Sequence, residues 1–235
     1  MNDDSDESTI EEGLRMLCFP RLSSLSIAHC PNLTSMPLFP TLDECLFLES
    51  TSSMPLQQTM EMTSPVSSTS SSSFTRPLSK LKSLHISFID DMESLPEVWL
   101  QNLSSLRSLS IWGCSRLKSL PLPDQGMHCL QKLHIAYCRV LKSLSESESE
   151  SQGMVPYLPS LQLLRIDDCS EEMSGRARGW GKEREEEWPP NIKHIPDIGI
   201  DGYYIRKEGR YVKGEGLRYR FYGLFSPNRQ ALTRV

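Results

Sequence analysis

One spacing constrains this chain more than any other feature: L-x-x-L-x-I-x-x-C-x-x-L-x-x-L-P. Its clearest copy is LSSLRSLSIWGCSRLKSLP, from Leu103 to Pro121. Leu106, Leu109, Ile111, Cys114, Leu117 and Leu120 fill the apolar slots. The spacing suits neither a helix nor a long strand. Leu109-Ser110-Ile111 alternates as a strand does, and the flanks step by three, as a chain does when it turns around a shared core.

The spacing recurs, and recurrence decides the architecture. Leu22, Leu25, Ile27, Cys30, Leu33 and Met36 repeat it, and FPTLDECLFLE follows with Leu42, Cys45 and Phe47 in the first three slots. Further copies start at Leu81 (with Leu84, Ile86, Ile89, Met92 and Leu95), at Leu130 (with Leu133, Ile135, Cys138, Leu141 and Leu144) and at Leu161 (with Leu164, Ile166 and Cys169). The uninterrupted intervals between first slots are 20, 25 and 24 residues, within the ~20–29-residue period of leucine-rich repeats. The expected fold class is therefore α/β: a leucine-rich repeat solenoid with a curved parallel sheet and little helix. EVWLQNL, before the clearest copy, predicts one short helical turn. A single coil cannot bury its own apolar face, so stability belongs to the array.

Two interruptions are too polar to build a core. One is Ser-rich, about residues 50–76, and the other is the acidic Ser/Glu loop 145–153. Both predict disordered loops. Residues 1–18 form an acidic N-terminal segment, 19–170 the repeats, 171–200 a C-terminal cap segment and 201–235 a basic aromatic tail. Ser170 to Glu187 reads as a loop or short helix, and Trp188, Ile192, Ile195 and Ile198 are candidates to cover the open end of the core. Gly202 to Val235 carries eight Lys or Arg against Glu208 and Glu215, which leaves about -11 on the rest of a chain of net charge -5. It predicts a disordered or partner-docked segment. The acidic start is unlike a signal peptide, and no apolar run approaches the ~18 residues of a membrane span. A cytoplasmic protein is expected.

Chemistry is sparse. Cys30, Cys114, Cys138 and Cys169 recur because they share one slot, where the side chain can meet backbone at the turn after the strand. Residues in one slot form a line rather than a tetrahedron, and no C-x-x-C pair exists, so structural thiols are expected rather than a metal site. No nucleophile elbow or phosphate loop is present. Neither an enzyme nor a cofactor is expected. What remains is surface, because strand side chains alternate between two faces. The central exposed column reads Ser26, Leu46, His85, Ser110, His134 and Arg165. The next reads Ala28, Leu48, Ser87, Trp112, Ala136 and Asp167, with His29, Glu49, Phe88, Gly113, Tyr137 and Asp168 beside it. His85, Phe88, Trp112, Lys132, His134, Tyr137, Arg165 and Asp167 are the candidate protein-binding residues of the concave face.

The spacing resembles the plant-type cytoplasmic leucine-rich repeat of nucleotide-binding leucine-rich repeat immune receptors. The ending WPPNIKHIPDI, with Trp188-Pro189 and His194-Ile195-Pro196, is similar to the segment that often closes the coiled-coil subclass of these disease resistance proteins. The resemblance covers about Phe19 to Ile198 and implies a recognition module of plant innate immunity. The implied partners are a pathogen effector, a modified host protein or the receptor's nucleotide-binding module. The chain carries no nucleotide-binding module of its own, so nucleotide switching is not carried over to any residue. Two alternatives stand beside this expectation: nucleic-acid or anionic-lipid binding through the tail, and a truncated, non-functional receptor remnant.

Overall fold

The computed structural model describes residues 21–61, 76–123, 127–142, 144, 155–180 and 188–216. The expectations for residues 1–18, 62–75, 145–153 and 217–235 lie outside these residues.

Each copy of the spacing forms one five-residue strand: β1 (Ser24–Ala28), β2 (Cys45–Glu49), β3 (Ser83–Ser87), β4 (Ser108–Trp112), β5 (Lys132–Ala136) and β6 (Leu163–Asp167). Three more follow: β7 (Asp197–Ile200), β8 (Tyr203–Lys207) and β9 (Arg210–Gly216). All nine lie in one sheet in chain order. The first seven are parallel, and β8 and β9 are antiparallel. Helix is confined to α1 (Met54–Met60), α2 (Glu97–Asn102), where a short turn was expected, and α3 (Glu171–Arg178). Among the described residues, no helix is long and apolar enough to cross a membrane.

The register aligns the core slots. Leu25, Leu46, Leu84, Leu109, Leu133, Leu164 and Ile198 form one row, and Ile27, Leu48, Ile86, Ile111, Ile135, Ile166 and Ile200 the next. Every member except Leu25 is buried. A Leu or Ile buried in this way contributes roughly 1.5–3 kcal/mol over an exposed one.

Four expectations are corrected by this register. In the second coil, Leu46 and Leu48 enter the core while Cys45 and Phe47 stay half-buried. The step from Leu42 is four residues instead of three, which exchanges the two faces of the strand. The Ser-rich stretch is ordered at its start: Thr51, Ser52 and Ser53 are buried, and α1 buries Leu56 and Met60. The repeat does not stop at Cys169. Ile195, Ile198 and Ile200 are buried as a seventh coil, with β7 parallel to β6. Finally, the tail is not disordered over 203–216, which form β8 and β9. Two turns build that hairpin, Asp201-Gly202 and Glu208-Gly209. All four residues have positive φ (48°, 80°, 50° and 78°), as tight turns between antiparallel strands require. Arg206 is spent there: its guanidinium lies 5.1 Å over the Trp188 ring, and it donates to the carbonyls of Lys193 and Gly209.

Helix α3 forms where a loop or short helix was expected. The Ser170 Oγ accepts from the Met173 N–H at 3.2 Å and donates to the Leu141 carbonyl at 2.6 Å. Glu171 and Glu172 sit in its first turn and Arg176 and Arg178 in its last, the order that opposes the helix dipole.

Candidate protein-binding face

A second row of repeats runs along the strand ends. His29, Ser50, Phe88, Gly113, Tyr137, Asp168 and Asp201 all take positive φ, between 47° and 58°. The reversal sends the chain out of the sheet at the same place in each coil. Each N–H from His29 to Tyr137 donates across to the next strand's last carbonyl, at 2.8–2.9 Å. At the final junction the Asp201 carboxylate takes that place and accepts from the Asp168 N–H at 2.9 Å. This backbone carries Phe88 and Tyr137 outward, leaving them 49% and 37% exposed.

The slot after this turn holds the cysteines. The thiols of Cys30, Cys114, Cys138 and Cys169 donate to the carbonyl two residues earlier, at 3.3, 3.5, 3.4 and 3.5 Å. Burial pushes the Cys114 thiol up to about 11 and the Cys169 thiol to about 12, and raises Cys138 as well. These three stay protonated at neutral pH, which makes them poor nucleophiles and poor metal ligands. No group of His, Cys, Asp or Glu suited to a metal occurs among the described residues.

On the sheet face away from the core, the corrected register gives one column of Ser26, Phe47, His85, Ser110, His134 and Arg165, and a second of Ala28, Glu49, Ser87, Trp112, Ala136 and Asp167. Phe47 and His85 stack at 4.6 Å with planes 8° apart. Trp112 meets the His134 ring edge-on at 5.1 Å and Tyr137 at 5.4 Å. The structure thus brings His85, Trp112, His134 and Tyr137 into an aromatic strip spanning β3 to β5, and Phe47 extends it to β2. Phe47 belonged to the core in the sequence reading. The signal for its true place was the adjacent alternation Leu46-Phe47-Leu48.

Two candidates stand differently. Asp167 is 1% exposed and supports the face from below. Its carboxylate accepts from His134 Nε2 at 3.0 Å, from Arg165 Nη2 at 2.9 Å and from the Gly202 N–H at 2.9 Å. Burial alone would raise its pKa, but these donors and the Arg165 charge outweigh it and hold the carboxyl below its usual range. Burial lowers His134 despite the Asp167 contact, so the neutral imidazole is the donor and Arg165 carries the balancing charge. Lys132 is exposed at the start of β5, roughly 13 Å along the strand from the Trp112 register partner Ala136. It is not part of the strip. Ser87, Ser110 and Ala136, read as exposed, are buried under these larger neighbours. The Ser110 hydroxyl is left without a hydrogen-bond partner.

His85 is lowered to about 4, first by burial and then by the charge His134 would carry. At neutral pH the strip is therefore uncharged, with two imidazoles, a phenyl, an indole and a phenol. Such a surface suits close contact with another macromolecule. Comparisons of the chain with protein-family models, with curated proteins and with solved structures give no match.

Proposed function

We propose that the chain is a non-catalytic recognition module, which binds a protein partner through the sheet face turned away from its core. The observation that carries this reading is the strip Phe47–His85–Trp112–His134–Tyr137, assembled from β2 to β5 and the turn after β5, with Tyr137 exposed and the other four rings half-buried. Large rigid rings lose little conformational entropy on contact, which is why they dominate binding hot spots.

The coil spacing and the ending WPPNIKHIPDI support assigning this module to the repeat region of a plant disease resistance receptor of the coiled-coil subclass. In that setting the partner is a pathogen effector, a modified host protein or the receptor's nucleotide-binding module. The test is a quantitative pull-down of the full chain with the nucleotide-binding module of such a receptor. Trp112→Ala, His134→Ala and Tyr137→Ala are combined, with circular dichroism confirming the fold. Binding is expected to fall by more than roughly tenfold, the range for losing hot-spot residues. Unchanged binding by the triple variant refutes the assignment of this face.

A further inference from the structure

Beside the strip, at the C-terminal ends of β1 to β3, lies a cleft of about 500 Å³ lined by His29, Ser50, Thr51, Phe88, Asp90 and Asp91 among others, and its Phe88 ring rests against Gly113, the residue after Trp112. Its shape follows from the left-handed residues. The turns at His29, Ser50 and Phe88 carry three successive coils away from the sheet and leave a hollow between them. Phe88 is held in one place by its neighbour. A Cβ added at Gly113 would stand 2.5 Å from Phe88 Cδ1 and Cε1, so the ring lies over the glycine backbone while it lines the cleft.

The polar side of the cleft is anionic. Asp91 accepts from the Ser52 hydroxyl at 2.8 Å and the Ser53 N–H at 3.0 Å, and Asp90 accepts from the Ser115 hydroxyl at 3.1 Å. These donors are all neutral. Among the described residues neither carboxylate has a Lys or Arg partner, although Glu93, two and three residues on, holds both Arg116 and Lys118. The hollow therefore pairs two uncompensated negative charges with an exposed aromatic ring. That combination complements a planar cation: guanidinium stacks on an aromatic face and donates in a fork to carboxylate, whereas ammonium is a compact, strongly hydrated point charge.

We propose that this cleft receives an arginine side chain, presented by the polypeptide partner that lies on the aromatic strip. The inference rests on the protein-binding reading of that face and adds the chemistry of one anchor.

The test needs no identified partner. The ¹⁵N-labelled full chain is titrated with N-acetyl-arginine methylamide, with its lysine counterpart and with the neutral isostere citrulline. The arginine amide is expected to shift the amides of Ser50 to Ser53 and of Phe88, Asp90 and Asp91, with saturation. Citrulline is expected to leave them in place, and lysine to bind more weakly than arginine. Phe88→Ala should weaken the arginine amide roughly two- to fivefold and Asp90→Asn by a similar factor. Phe88→Tyr, which keeps the ring, should bind as the parent does and shows that the loss does not come from misfolding. Absence of saturable shifts, equal response to citrulline or lysine, or indifference to both weakening variants overturns the proposal. If the cleft fails this titration while the Trp112/His134/Tyr137 variant still loses its partner, the inference falls and the binding face stands. If arginine binds here but that variant keeps its partner, the binding-face reading falls instead.

Discussion

Asp167 gathers donors from three parts of the sheet, and that makes the candidate face acid-sensitive. His134 comes from β5, Arg165 from β6 and the Gly202 N–H from the turn before β8. Because the folded carboxyl titrates below its unfolded value of ~3.9, its stabilisation is present above that value and is lost as pH falls through the folded one. His85 acts earlier in an acid titration. Its folded pKa of about 4 lies below the ordinary 6.5, so the unfolded chain binds the proton first. Stability should therefore decline as pH falls from about 6.5 to about 4. Urea unfolding at pH 7, 6, 5 and 4 measures this, and His85→Phe, which keeps a ring against Phe47, should flatten the decline. An equal slope in the variant would remove His85 as its source. Gly113 is constrained twice, by a φ of 58° and by the Phe88 ring above it. Gly113→Ala should cost about 1–2 kcal/mol from the left-handed backbone alone and should displace Phe88, seen as a lowered melting temperature and a shifted Phe88 ring resonance.

At the scale of elements, β2 shows where pattern and packing diverge. Cys45 and Phe47 satisfy the interval of three from Leu42, and Leu46 and Leu48 satisfy the same alternation one residue later. Only neighbouring strands decide between them: Leu48 meets Ile27 on one side and Ile86 on the other. Leu48→Ala should cost about 2–5 kcal/mol, and Cys45→Ala under about 1 kcal/mol, by chemical denaturation. The reverse order would restore the three-residue register. The other coils were legible because their spacing is unbroken, and the cysteine slot was legible because its backbone contact is local. Two further elements were written in the sequence in a form that was not used. Ile195-Pro-Asp-Ile198-Gly-Ile200 repeats the strand spacing of Leu161-Gln-Leu-Leu164-Arg-Ile166, and Asp201-Gly202 is a hairpin turn signal. The charge of the tail obscured both. The candidate face was legible only in part. Its rings could be placed on one side by alternation, but the burial of Asp167 depends on Gly202, 35 residues away. The ordering of Ser52 and Ser53 depends likewise on Asp91, 39 and 38 residues distant.

Over the whole molecule, protection should follow position in the stack. The central strands β3 to β6 bury both core rows completely, whereas Leu22, Leu25, Leu33 and Met36 of the first coil are only partly buried. Hydrogen exchange read by mass spectrometry should show the slowest amides in β3 to β6 and faster exchange in β1 and β9, the two ends of the strand order, as nearest-neighbour coupling requires. Uniform rates along the stack would show instead that the sheet opens as one unit. The change of direction between β7 and β8 has a consequence of its own. A parallel array grows by adding identical units, each offering the next the same edge. The Asp201-Gly202 turn ends that sameness, because beyond it the strand runs backwards and its pairing with β7 is irregular. The hairpin behaves as a chain stopper does in a polymer. An engineer could lengthen this molecule by joining further coils ahead of β1, while a coil joined after β9 would meet a strand of the right polarity, reversed twice, but would reach the last regular coil only across two irregular pairings.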